Sequence, residues 1–117
     1  MAYDEGLAER VRELLSDEPG VAEKRMFGGL AFLRGGNMCV GVVGEDLMVR
    51  VKPDAYAGLL RLPHVRKMDF TGRPMKGFVF VSADGSREDP DLQRWVDEGL
   101  VFVRSLSPKE VRPSAKR

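Results

Sequence analysis

Between Val21 and Lys52 the chain sets short apolar runs apart with glycine-rich breaks at Gly28-Gly29, Gly35-Gly36-Asn37 and Gly44-Glu45-Asp46. Residues that tolerate positive φ at such short intervals suit tight reversals, and strands joined by tight reversals pair antiparallel. Leu47–Lys52 carries the clearest alternation: Leu47, Val49 and Val51 point one way, and Met48, Arg50 and Lys52 the other. Met38–Val43 is almost continuously apolar, which suits a central strand buried on both faces. Val21–Phe27 and Leu30–Arg34 supply the two preceding strand segments.

Two geometries compete at Gly28-Gly29. A tight turn folds one segment back on the other, whereas a glycine bulge or bend lets a single strand continue through a curve. The bulge or bend is favoured, because Met26-Phe27 and Leu30-Phe32 read as parts of one core-lining strand. An anion cradle built from the glycine N–H groups with Lys24 and Arg25 is disfavoured. The spacing matches neither common phosphate-binding pattern, and no helix opens directly after it.

Helical periodicity flanks this block. Leu7, Val11, Leu14 and Leu15 form a stripe in a helix expected over 4–17, with Asp4 at its start and Pro19-Gly20 after its end. A short helix over 54–61 turns Tyr56, Leu59 and Leu60 inward, and Pro63 stops it. Val65–Phe70 reads as an irregular or edge strand and Gly77–Val81 as a compact buried one, with Asp84-Gly85 as the turn that follows. Asp89 is the expected cap of a last helix with Pro90 at its first position, and Leu92, Trp95, Val96, Leu100, Val103 and Leu106 make its apolar stripe. The expected fold is α+β: an antiparallel meander with N- and C-terminal helices and one short helix packed on one face. It forms a single domain over 4–107, followed by a flexible basic tail over 108–117.

Apolar residues at 43% and charged residues at 32% place the chain among ordinary globular proteins. Cys39 is the one cysteine, so no internal disulfide can form and a reducing compartment is the simplest setting. The acidic, polar N-terminus lacks the apolar run of a secretory leader, and no stretch approaches a membrane span. A cytoplasmic location is therefore expected. The net charge of +1 conceals segments of −5 over 1–23, +6 over 24–76, −3 over 77–110 and +3 over 111–117. A basic sheet facing acidic helices of the same molecule explains that pattern more simply than a nucleic-acid surface.

Candidates for chemistry are few. Cys39 and His64 would make a nucleophile and its base, but no motif links them and Cys39 sits in an apolar strand. One cysteine and one histidine cannot build a zinc site by themselves, and Asp84, Glu88, Asp89 and Asp91 lack calcium-loop spacing and suit turn and cap duties. No catalytic residue, metal or cofactor is expected. The candidate binding surface is basic. Arg73 and Lys76 in Gly72–Gly77 would join Arg50, Lys52, Arg66 and Lys67 on one face able to contact phosphates. Cations that guard a sheet edge against aggregation explain the same residues.

Three stretches carry a family resemblance: Lys24-Arg25-Met26-Phe27-Gly28-Gly29, Gly36-Asn37-Met38 and Asp46–Val51. They resemble the N-terminal domain of TfoX/Sxy-type proteins, over roughly residues 5–106, with Met26, Phe27, Gly28 and Gly29 as the most recognisable motif. Gly72–Gly77 is similar to the short, stand-alone members of that group. The resemblance implies an α+β fold with an antiparallel sheet, a role related to competence regulation, and no established catalytic residues. TfoX regulators carry a second, helical C-terminal domain, whereas this sequence is expected to stop after one domain. The expectation is a non-enzymatic interaction module whose partner is another protein or a second copy of itself. The alternative is a nucleic-acid-binding accessory protein that uses the basic central segment.

Overall fold

The computed structural model describes residues 3–26, 28–70 and 73–106, with the backbone alone at 68–70 and 73–76. Helix α1 spans Glu5–Leu14, and Asp4 caps it by accepting the Leu7 N–H at 3.1 Å. The Asp4 N–H donates to the Gly44 carbonyl at 2.7 Å, which ties the start of the helix to a sheet turn.

Among the described residues six strands form one antiparallel sheet: β1 (Val21–Met26), β2 (Gly29–Arg34), β3 (Asn37–Val43), β4 (Asp46–Arg50), β5 (Val65–Phe70) and β6 (Arg73–Val81). The expected α+β class holds, and the meander runs through the first four strands. The chain then passes through α2 (Tyr56–Leu59), lays β5 at the outer edge and returns as β6 between β5 and β4, giving the order β1-β2-β3-β4-β6-β5. Composition explains the inversion. Gly77–Val81 offers apolar side chains to both faces and suits an interior strand, while the charged Val65–Phe70 tolerates an edge.

The double glycine is a turn, contrary to the favoured bulge. Met26 pairs with Gly29, so the chain reverses tightly between them, and Gly28 has φ +74°. Phe27 itself lies outside the described residues. Gly29 packs so closely on β3 that a Cβ there would stand 2.1 Å from the Val42 carbonyl oxygen. The first glycine is needed for its backbone conformation and the second for its missing side chain. The Gly35-Gly36 reversal behaves as expected, with φ of +59° and +80° between the paired Arg34 and Asn37.

A bulge does occur, at Cys39. Phe32 pairs with Val40 and Leu33 with Met38, which leaves Cys39 without an opposite residue. Met38 thereby stays on one face of the sheet, while Cys39 and Val40 both enter the interior on the other.

Helix α3 (Ala83–Ser86) replaces the turn expected at Asp84-Gly85, and α4 spans Asp89–Arg104. The α4 cap is Glu88, not Asp89: the Leu92 N–H bonds to the Glu88 carbonyl, and the Asp89 carboxylate is engaged by Arg10 of α1 at 2.9 Å. Leu7, Val11, Leu92, Trp95, Val96 and Val103 from the helices close on Phe32, Val40, Val42, Leu47, Val49 and Val81 of the sheet. The tail expected over 108–117 lies outside the described residues.

Candidate functional site

Strand register resolves the sheet into rows. One row reads Glu23, Phe32, Val40, Val49, Val79 and Lys67 across all six strands, and its apolar members lie beneath the helices. The next reads Lys24, Ala31, Gly41, Met48, Phe80 and Arg66 and lies on the opposite face. An antiparallel sheet covered by helices on one side ordinarily presents polar residues on the other. Here Ala31, Met48 and Phe80 are buried on that other side, and Met26, Leu33, Met38, Val43 and Phe78 pack half-buried around them. Among the described residues this second cluster consists of strand residues alone.

Small residues flatten the centre of this face. A Cβ on Gly41 would lie 2.5 Å from Met48 Cε, so the methionine side chain occupies the space that a side chain at 41 would fill. Ala31 and Gly41 together let Met48 lie down across β3, where it is 1% exposed.

Cations frame the face. Arg66 stands over the Phe80 ring, 5.0 Å from its centroid, and is ion-paired with Asp46. Arg50 lies over two rings, Phe78 at 5.4 Å and Phe102 of α4 at 5.0 Å, which places it where the end of β4 meets the last turns of α4. Partial burial lowers the Arg50 pKa from its ordinary value.

The six residues of the expected basic face are therefore not alike. Arg66 stands on the helix-free face, whereas Arg50, at the end of β4, sits at the border of that face with α4, between Phe78 and Phe102. Lys67 occupies a position in the row that belongs to the helix side. Lys52, beyond the end of β4, lines a cleft with Arg94, Asp97, Glu98 and Val101 of α4. Arg73 and Lys76 belong to β6, and their side chains lie outside the described residues.

Cys39 and His64 are set against different helices. Cys39 is buried against Gly99 of α4, and burial pushes its thiol up to about 12. His64 is exposed, has φ +71°, and has its side chain against Gly85 of α3. Of the acidic residues near 84–91, Asp84 holds Arg87 and Asp89 holds Arg10. No three His, Cys, Asp or Glu side chains gather into a metal-binding group among the described residues. No helix among them is long and apolar enough to cross a membrane.

A firmer cluster stands on the helix side. Glu18, whose side chain is 10% exposed, accepts from Arg104 of α4 at 2.6 Å and from Arg34 of β2. It joins the α1–β1 connection to both elements. The Arg104 hydrogen bond, and after it the Arg34 bond, hold the Glu18 carboxyl below its ordinary range against the opposing effect of burial.

Sequence reading missed the apolar back face. Its signal lies in the alternate positions: 31 and 33, 38, 48, and 78 and 80 are apolar where a solvated face would be polar. In the strand expected to be buried over Gly77–Val81, Phe78 and Phe80 lie across the sheet from the helix-covered core.

A family model described as the TfoX N-terminal domain matches residues 13–103. No curated protein and no solved structure matches the chain.

Proposed function

Because the chain belongs to the TfoX N-terminal domain family, we propose that it is a non-enzymatic, regulatory-type module that docks another protein on the helix-free face of its sheet. One observation carries this reading: Leu33, Met38 and Phe78 form a half-buried apolar surface over Ala31, Met48 and Phe80, on the side that a one-sided sheet would give to water. Such a face gains free energy when a partner covers it, at about 25 cal/mol per Å² of apolar surface removed from water.

Charge selects the class of partner. The described face carries Lys24 and Arg66, with Arg50 at its border, against one carboxylate, Asp46, which Arg66 already holds. A second copy in face-to-face contact would bring like charges together, so an acidic, apolar segment of a different protein fits better. Phosphate backbones call for several cations on one surface, whereas here Arg66 is ion-paired and Lys52 neighbours Asp97 and Glu98. The protein reading is therefore favoured over the nucleic-acid one. The high pKa of Cys39 and its separation from His64 support a role without catalysis.

Affinity capture from a host lysate tests the reading with three folded forms: the natural chain, Leu33→Asp on the proposed face and Val101→Asp on α4. The expected result is one protein retained by the natural chain and by Val101→Asp but lost with Leu33→Asp. Met38→Gln serves as a milder face variant if Leu33→Asp does not fold. Capture that ignores the face variants, or retention of no protein at all, contradicts the proposal.

A further inference from the structure

Arg50 differs from every other arginine whose side chain is described. The other two half-buried ones, Arg10 and Arg34, hold the carboxylates of Asp89 and Glu18. Arg50 is half-buried as well, yet among the described residues no carboxylate pairs with it and none of its five guanidinium N–H donors has an acceptor. Its contacts are the rings of Phe78 and Phe102. Ring contacts offset part of the lost hydration and restrict where the guanidinium sits, but they leave its N–H donors available. A planar fork held beside two aromatic rings is arranged for bidentate recognition of an oxyanion on an apolar body.

We infer that Arg50, with Phe78 and Phe102, forms a binding site for a carboxylate group borne on an apolar or aromatic body, supplied by the acidic side chain of a docked protein. The inference rests on the helix-free face being a docking surface, for which it supplies the polar anchor. Three features favour a carboxylate over a phosphate. A single unneutralised cation matches a single negative charge; Arg66, the nearest comparable cation on this face, is already held by Asp46; and the walls are apolar rings rather than further donors. The anion restores hydrogen bonds to a desolvated cation, while its apolar body covers Phe78 and the neighbouring face.

The test follows the Arg50 Nε–H signal by NMR in the full chain, at constant ionic strength, with three probes: phenylacetate, phosphate and the neutral phenylacetamide. Phenylacetate is expected to shift the Arg50 signal and the Phe78 and Phe102 ring signals along a saturable curve, with phenylacetamide and phosphate weaker by several-fold. Arg50→Gln should abolish the ring shifts. Arg50→Lys, which keeps the charge without the fork, should weaken them and stands in if Arg50→Gln does not fold. Phosphate binding as strong as phenylacetate, unsaturable shifts, or ring shifts that survive Arg50→Gln would each overturn the inference. Its failure is separable from that of docking. A partner lost with Leu33→Asp but kept with Arg50→Gln leaves the docking face standing and removes the anion site. Saturable phenylacetate binding with no face-dependent partner does the reverse.

Discussion

The side chain of Met48 lies over Gly41 on the neighbouring strand, with its Cε 2.5 Å from where a Gly41 Cβ would stand. The two residues are register partners, so the absent side chain on β3 is the seat of the long one on β4. This pairing lets an apolar face form without bulk at its centre.

Gly41→Ala is expected to destabilise the fold by about 1–3 kcal/mol. The flexible Met48 tip can move aside, but the Leu30 carbonyl oxygen, 2.9 Å from the same Cβ, is backbone and cannot move cheaply. Urea unfolding of the variant checks this. A midpoint equal to that of the natural chain would show that β2 and β3 leave room for a side chain at 41.

Gly99→Ala reverses the usual sign of a helix substitution. Alanine ordinarily favours a helix over glycine by about 1 kcal/mol. At 99, however, a Cβ would stand 2.8 Å from the Cys39 carbonyl oxygen and 3.0 Å from its Sγ, so α4 must lift off the bulge. The variant should lose stability in thermal unfolding. Gly58→Ala in α2, with nothing within 4 Å of the added carbon, should be neutral or stabilising. The pair separates close helix–sheet packing from helix propensity.

Much of this fold is legible in the sequence because its devices are local. The Asp4 cap, the Gly35-Gly36 reversal and the alternation of Leu47, Val49 and Val51 each depend on a few neighbouring residues. What escaped depends on partners distant in the chain. The turn at Gly28 looks like a bulge until Gly29 is seen against Val42, and the bulge at Cys39 is visible only in the offset between Phe32 and Leu33. Asp89 resembles a cap until Arg10 is found holding it. The two faces of Phe78-Val79-Phe80 can be told apart only once β6 is placed between β4 and β5. The basic face drawn from sequence joined residues by type, whereas the sheet sorts them by register.

Acid should weaken the Glu18 cluster. Its carboxyl is held below the ordinary range by Arg104 and then Arg34, so the stabilisation is fully present above the unfolded-state pKa, about 4.3, and is lost as pH falls through the lower folded value. Glu18→Gln should cost about 1 kcal/mol near neutrality, and its stability should converge with that of the natural chain in acid. Unfolding midpoints across a pH series measure the convergence. A constant difference at every pH would refute the assignment.

Cys39 should be inert while the protein is folded. With the thiol raised to about 12, roughly one in ten thousand is ionised at pH 8, and the sulfur is buried under α4. Labelling by a thiol reagent should proceed at the rate of unfolding and become rapid in urea. Equally fast labelling without denaturant would mean that the bulge is open to solvent.

A displayed library of short random peptides, selected in parallel on the natural chain and on its folded Leu33→Asp variant, tests the docking face most directly. The expected outcome is enrichment, on the natural chain alone, of sequences that combine carboxylates with leucine or aromatic residues. Enrichment that is identical on both proteins, or is dominated by basic sequences, would contradict a docking surface framed by Arg50 and Arg66.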